Sequence, residues 1–254
     1  MSTMRVNQQF VPALSATQLE IFHEVASGRI PTGAELIYNG RRNKLYNFAT
    51  EVGKPSTVVK CFRLPHIVNS LVYATLRKSK ARRSFENALR LIELGFHTPR
   101  PQGFIEHLRG IRLYDSYYFC EFVDAPTIRD IEQRPECDIV LRAAAADLAR
   151  LHSHGIHMRD YSPGNILYRL DGRGGCTIYY VDLNRMDFGV SDHRVLMRSF
   201  GSVIWDEEAL RRFAAYYAEA AGLDVESTVS EAVGEHRRFI RRRERKRRFK
   251  KLFS

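Results

Sequence analysis

Apolar and polar positions change rhythm twice along the chain. Residues 17–26 (TQLEIFHEVA) place Leu19, Phe22 and Val25 on one face of a short amphipathic helix, with Ser15 or Thr17 as its cap. From Gly33 onward three short β-rich runs follow, ELIYNG, KLYNFAT and TVVKCF, divided by the turn-forming segments 40–43 (GRRN) and 53–56 (GKPS). That texture predicts a three-stranded meander. Helical spacing returns over 67–94, where Phe85, Leu89 and Ile92 share a face until Gly95 stops the helix and Thr98-Pro99 turns the chain. Two more strands are expected around 103–105 and 116–123. After Asp124-Ala125-Pro126 the pattern is mostly helical. The stretch 139–152 (IVLRAAAADLARLH) joins high helix propensity to a stripe of Val140, Ala144, Leu148 and Leu151. Residues 207–232 add at least one more helix through Leu210, Phe213, Ala214 and Tyr217.

A strand-rich first half joined to a helix-rich second half predicts an α+β protein of two lobes with a cleft between them. The expected organisation is an N-terminal extension with a short helix (1–32), a β-rich N-lobe (33–123), a helical C-lobe (124–234) and a tail (235–254). A chain of 254 residues with 44% hydrophobic side chains has ample surface to bury, which excludes disorder and fibre. Four scattered cysteines, with no CxxC pair and no histidine at ligand spacing, suggest neither a disulfide framework nor a zinc site, and fit a reducing compartment. Residues 1–10 lack the apolar core of a signal peptide, and no run approaches the roughly 18 apolar residues of a spanning helix. The expectation is a cytoplasmic protein, at most peripheral to a membrane.

The formal charge of +11 is unevenly placed. Between Arg237 and Lys251 stand eleven basic residues and one acid, Glu244, a local +10; the remaining 29 basic and 28 acidic residues leave +1. The body is nearly neutral and the tail carries the charge.

The densest chemistry lies in 157–168 (HMRDYSPGNILY). Asp160 and Asn165 stand five apart with Pro163 and Gly164 between them; seventeen residues after Asn165 the run Ile178-Tyr179-Tyr180-Val181 ends in Asp182. In-line phosphoryl transfer needs one carboxylate to take a hydroxyl proton and hard oxygen ligands to hold magnesium on the phosphates. Asp160 is the candidate base, and Asn165 and Asp182 are the candidate metal ligands. Upstream, Lys60 lies in the strand Thr57-Val58-Val59-Lys60, which resembles the V-A-I-K strand whose ammonium contacts the α and β phosphates. Glu86, in the next helix, is the expected partner of Lys60, with Glu93 as the alternative. Tyr117-Tyr118-Phe119-Cys120 leading to Glu121-Phe122-Val123 resembles a hinge whose backbone carbonyl and amide read adenine.

Over residues 33–220 the chain resembles the lipopolysaccharide core sugar kinases, the Kdo/WaaP-like branch of the protein-kinase-like superfamily. The residues that carry the resemblance are Lys60, the block RKSKARRSFENA over 77–88, the loop D-Y-S-P-G-N over 160–165, and Asp182-Leu183-Asn184-Arg185 in the place of Asp-Phe-Gly. The resemblance implies a two-lobed protein-kinase-like fold, ATP and Mg2+ as cofactors, and phosphorylation of an inner-core sugar hydroxyl, on Kdo or heptose, at the cytoplasmic face of the inner membrane. Arg185 is a secondary candidate for contact with acceptor or phosphate.

The chain departs from the kinase pattern in three places. The Gly-rich loop is reduced to 39–43 (NGRRN), where Gly40 remains and Arg41 or Arg42 would supply charge in place of backbone cradling. Met158 stands where the usual catalytic-loop histidine would be, with His157 one residue earlier. No Ala-Pro-Glu follows Asp182, which argues against large peptide substrates and for a small or glycolipid acceptor. The rival enzyme reading is a small-molecule kinase of the aminoglycoside phosphotransferase type, whose cationic acceptors call for an acidic rim. The rival outside enzymes is a non-catalytic nucleotide- or RNA-binding pseudokinase.

Two other features have plainer readings beside the sharp ones. His152, His154 and His157 are spaced by two and three, which suits no helix face, so core or loop roles are favoured over a metal site. In the tail Phe239, Phe249 and Phe253 fall on one helical arc, but Arg242, Arg243 and Lys246 interrupt it. A cationic arm held at an anionic membrane by 237–251 is the expectation, with the phenylalanines as a shallow anchor. A solvated extension and an RNA-binding arm are the alternatives; nucleic acid is disfavoured and no protein partner is predicted.

Overall fold

The alternating runs of the first half pair into a single antiparallel sheet. The computed structural model describes residues 4–12, 14–40, 43–50, 56–63, 78–109 and 112–251, and the chain divides into two compact units, Met1–Asp124 and Ala125–Ser254. In the first unit the strands β1 (Met4–Phe10), β2 (Glu35–Asn39), β3 (Asn43–Phe48), β4 (Thr57–Arg63), β5 (Pro101–Arg109) and β6 (Arg112–Glu121) lie in the order β1-β5-β6-β4-β3-β2. The meander expected from the sequence is β2 to β4. The two later strands run longer than expected because β5 and β6 form a hairpin paired from Pro101↔Cys120 to Arg109↔Arg112.

Period-two alternation gives the sheet two apolar faces. Val59, Ile105, Tyr117 and Phe119 pack with Ile21, Phe22 and Val25 of α1 (Ala16–Ala26). Val58, Phe62, Phe104, Tyr118 and Cys120 pack with Ala81 and Phe85 of α2 (Lys80–Glu93). Both helices begin on serine caps: Ser15 and Gln18 close a reciprocal capping box on α1, and the Ser79 hydroxyl accepts from Arg82 N–H on α2. Gly95, in the left-handed region at φ +77, lets the chain leave α2.

Residues 1–32 are therefore not an appendage to a lobe that begins at 33. The Phe22 ring, 1% exposed, stacks on Phe10 with centroids 5.0 Å apart and tilts onto Phe119 at 4.2 Å. Burying such a ring contributes roughly 1.5–3 kcal/mol, which makes α1 one of the two covers of the sheet. β1 was not anticipated. Its sequence is mostly polar because it is an edge strand, paired only with β5 from Met4↔Arg109 to Phe10↔Gly103. The helix expected over 67–94 is present as Lys80–Glu93; its earlier part lies outside the described residues.

The second unit is helical around two small hairpins. α3 (Cys137–Ser153) buries Val140, Ala144, Leu148 and Leu151 and packs against α5 (Glu207–Ala221), which contributes Leu210, Phe213, Ala214 and Tyr217. β7 (His157–Met158) pairs with β10 (Met186–Asp187), and β8 (Ile166–Leu170) with β9 (Cys176–Tyr180). A short α4 (His193–Met197) runs into a 3₁₀ turn, Arg198–Gly201. The helical stretch expected over 207–232 is two helices, because Gly222 at φ +65 ends α5 and Asp224 caps the next.

That last helix, α6 (Val225–Lys251), is continuous, so the boundary placed at 235 falls inside it. Its first half is docked: Thr228, Ala232, Val233 and His236 are buried, His236 Nδ1 lies 3.2 Å from the Gly201 carbonyl, and Phe239 packs 6.0 Å from the Trp205 ring. Phe239 thus serves the fold rather than an exposed anchor, Phe249 is exposed, and Phe253 lies outside the described residues.

Candidate active site

In the second unit, backbone pairing brings Asp160, Asn165 and Asp182 together. Ile166 opposite Tyr180 begins the β8–β9 hairpin, and one step further Val181 N–H donates to the Asn165 carbonyl at 3.0 Å. Asn165 and Asp182 therefore stand at the same end of one hairpin. Pro163 fixes the 3₁₀ turn Pro163–Asn165. The Asn165 amide nitrogen then donates to the Asp160 carbonyl at 3.0 Å, and Ser162 N–H to the same oxygen at 2.9 Å. With its nitrogen spent on Asp160, the Asn165 amide presents its oxygen, a hard donor.

Asp182 adopts φ +60, a left-handed backbone that L residues rarely hold and that concentrates at functional sites. Its Oδ1 accepts from the Asn184 side chain at 2.6 Å, which orients the carboxylate. An amide oxygen and an oriented carboxylate at one hairpin end are the oxygen set that magnesium takes. Among the described residues no group of three or more His, Cys, Asp and Glu is placed to hold a metal ion.

A literal Asp187-Phe188-Gly189 follows five residues later and has a different task. Asp187 accepts two 2.6 Å bonds from Arg159, one from Nε and one from Nη2, and lies 3.5 Å from His157 Nδ1. The Arg159 guanidinium leads the groups that hold the Asp187 carboxyl below the usual carboxylate range. Together with Arg159 N–H donating to the Arg185 carbonyl at 3.0 Å, this fork ties the residue before Asp160 to the segment after Asp182. Sequence reasoning missed it, although the signal was an arginine directly before the candidate base. His152 and His157 are both buried. His152 bridges Tyr217 Oη at 2.9 Å and Ser199 Oγ at 3.2 Å, the core role favoured for it.

In the first unit, Lys60 pairs across β4 with Leu45 and Tyr118 and falls on the α2 side of the sheet, with Nζ 5.3 Å from the Phe62 ring centroid. Burial pushes the neighbouring Cys120 thiol up to about 12, against the pull of the Lys60 charge. Glu86 also lies on α2, but the expected Lys60–Glu86 pair is not formed. Its Oε2 is 2.7 Å from Lys78 Nζ and its Oε1 is 2.9 Å from Arg82 Nε. Arg82 is one helical turn earlier and Lys78 directly precedes the cap, so local cations take both oxygens. The alternative, Glu93, is exposed.

Gly40 turns β2 into β3, with its N–H donating to Asn43 O at 3.0 Å. A Cβ there would meet the exposed Tyr38 ring at 2.5 Å, so the ring lies directly over this glycine. Arg41 and Arg42 lie outside the described residues. At the end of β6, Glu121 N–H donates to Arg100 O and Phe122 N–H to Ser56 O. Among the described residues the half-buried Val123 N–H has no backbone partner.

Neither a protein-family model nor a curated protein matches this sequence. Solved structures do match its fold. WaaP in complex with acyl carrier protein is 15% identical with a TM-score of 0.62, covering 94% of this chain and 98% of that one. Rio2 kinase from Chaetomium thermophilum is 19% identical with a TM-score of 0.53, covering 91% and 80%. Its ADP/Mg2+-phosphoaspartate complex is 20% identical with a TM-score of 0.50, covering 89% and 78%. The fold is protein-kinase-like, and the likeness to WaaP runs along nearly the whole chain.

Proposed function

We propose that this protein is an ATP-dependent kinase that transfers the γ-phosphate to a sugar hydroxyl of a lipopolysaccharide inner core, on Kdo or heptose, at the cytoplasmic membrane face. The observation that supports the reading is the tie of Asn165 to the Asp160 carbonyl and of Val181 to Asn165, which brings the candidate base and the two candidate oxygen ligands to one hairpin end. Asp160 accepts the proton of the attacking hydroxyl. Asn165 and Asp182 hold magnesium, which when bound supplies neutralising charge on the phosphates. Lys60 contacts the α and β phosphates, Gly40 shapes the turn above them, and the Glu121 carbonyl and Val123 N–H read the adenine. Glu86 contributes indirectly, by ordering Lys78 and Arg82 at the start of α2.

The acceptor class rests on the resemblance to core sugar kinases and on the distal half of α6. Residues 241–249 are all exposed and contain seven bases and one acid, Glu244. Near an anionic surface each Lys or Arg contributes about 1 kcal/mol, enough in sum to hold the enzyme where a glycolipid is made. No helix among the described residues is long and apolar enough to cross a membrane, so this reading uses surface attachment.

Incubation with magnesium and ATP labelled on the γ-phosphate, in the presence of extracted lipopolysaccharide core, is the test. Label is expected in an alkali-stable sugar phosphate. Label confined to cationic small molecules, or to no acceptor at all, would overturn the assignment.

A further inference from the structure

The segment after the unit boundary adds a third strand-like edge to the β8–β9 hairpin. Tyr168 N–H donates to Pro126 O at 3.0 Å, Ile128 N–H donates to Ile166 O at 3.0 Å, and Thr127 bridges Leu167 in antiparallel register. Carried on by two residues, that register sets Arg129 opposite Asn165. Asp130 then turns the chain away at φ +56, a second non-glycine residue in the left-handed region besides Asp182.

The Arg129 side chain reaches the catalytic loop itself. A Cβ on Gly164 would meet Arg129 Nη2 at 2.6 Å, so the glycine between Pro163 and Asn165 is what makes room for a guanidinium there. Arg129 is exposed, and among the described residues its guanidinium has neither an ion pair nor a hydrogen bond; only its backbone N–H is engaged, with Thr127 Oγ1 at 3.4 Å. By contrast Arg159 is spent on Asp187, Arg142 on Glu219 and Arg237 on Glu207. A planar fork with five donors, placed over the loop and left unpaired, is a receptor for an oxyanion.

We propose that Arg129 is an acceptor-binding residue that pairs with an anionic group, carboxylate or phosphate, on the sugar whose hydroxyl is phosphorylated. This rests on the kinase reading above and narrows its acceptor to an anionic sugar. Gly164 is part of the same device, since any side chain there would displace the guanidinium. The role is specificity, so Arg129 acts on acceptor affinity while leaving nucleotide affinity to other residues.

The test is equilibrium binding to the full chain loaded with magnesium and a non-hydrolysable ATP analogue. Three probes are compared: a core oligosaccharide bearing a sugar acid, the same oligosaccharide with its carboxyl reduced to the alcohol, and that reduced form carrying a phosphate monoester. Wild-type protein is expected to bind at least one anionic probe about tenfold more tightly than the reduced one. R129A should abolish that preference, R129K should keep part of it, and all should bind the analogue equally. The anionic probe that loses affinity in R129A identifies carboxylate or phosphate as the group read.

Equal or undetectable binding of all three probes by wild type would overturn the proposal. So would a preference that survives in R129A, or a matching loss of analogue affinity. Binding needs no transfer, so an R129A effect on affinity without any phosphoryl transfer by wild type would reject the kinase reading alone.

Discussion

His152 offers a sharp test of how the second unit is held together. Its ring is 7% exposed between Tyr217 Oη and Ser199 Oγ, and desolvation by burial, with a smaller push from His157 and His193, lowers its pKa to about 3. The unfolded chain takes this proton near the ordinary histidine value of about 6.5. Because the folded state refuses the proton until about 3, the stability of the neutral core is complete above pH 6.5 and is lost as pH falls toward 3. Between pH 7 and pH 5 the linkage amounts to about 2 kcal/mol, and over the whole window to about 5 kcal/mol. H152Q removes the titration at a fixed cost of about 1–3 kcal/mol for the disturbed hydrogen bonds. The single tryptophan, Trp205, packs on His236 and Phe239 in the same unit, so its fluorescence reports urea unfolding where it matters. Wild type should lose about 2 kcal/mol more than H152Q between pH 7 and pH 5. Parallel losses in the two proteins would refute the buried neutral histidine.

Two further outcomes follow from the ion pairs and the tail. D187N removes one charge of the Arg159–Asp187 fork, whose arginine side chain is 51% exposed. The stability cost should stay within about 1 kcal/mol, read as a small shift in thermal midpoint, while turnover falls about tenfold because the residue before Asp160 loses its tie; unchanged turnover contradicts that role. Truncation after Ile240 keeps the docked half of α6, including Phe239 on Trp205 and Arg237 on Glu207, and removes the exposed bases of 241–249. Sedimentation with anionic vesicles should be lost on truncation and weaken with salt in the full chain, with turnover on a soluble acceptor retained; equal sedimentation of both forms defeats the membrane role.

What was legible in the sequence was local. Asp160, Asn165 and Asp182 lie within 23 residues, so their order and spacing could be read before the β8–β9 hairpin that joins them was known. Lys60 was readable because a single charge in a run of Val and Phe needs a reason. What stayed hidden depends on choices made in three dimensions. Glu86 could have met any of several cations, and proximity gave it Lys78 and Arg82. β1 is polar because only one edge of it is used. Phe239 is consumed by Trp205, a partner 34 positions earlier. The approach of Arg129 to Gly164 arises from an isolated bridge between Thr127 and Leu167 that no periodicity announces.

The most direct measurement of the central claim is D160N, followed in parallel by phosphate transfer to core sugar and by nucleotide binding. The Asp160 carbonyl, not its carboxylate, receives Asn165 and Ser162, so the loop and the two proposed oxygen ligands survive the substitution. The account predicts that transfer is lost, by about a hundredfold or more for a missing general base, while magnesium-ATP binds with near wild-type affinity. Transfer retained at the wild-type rate in D160N would contradict it.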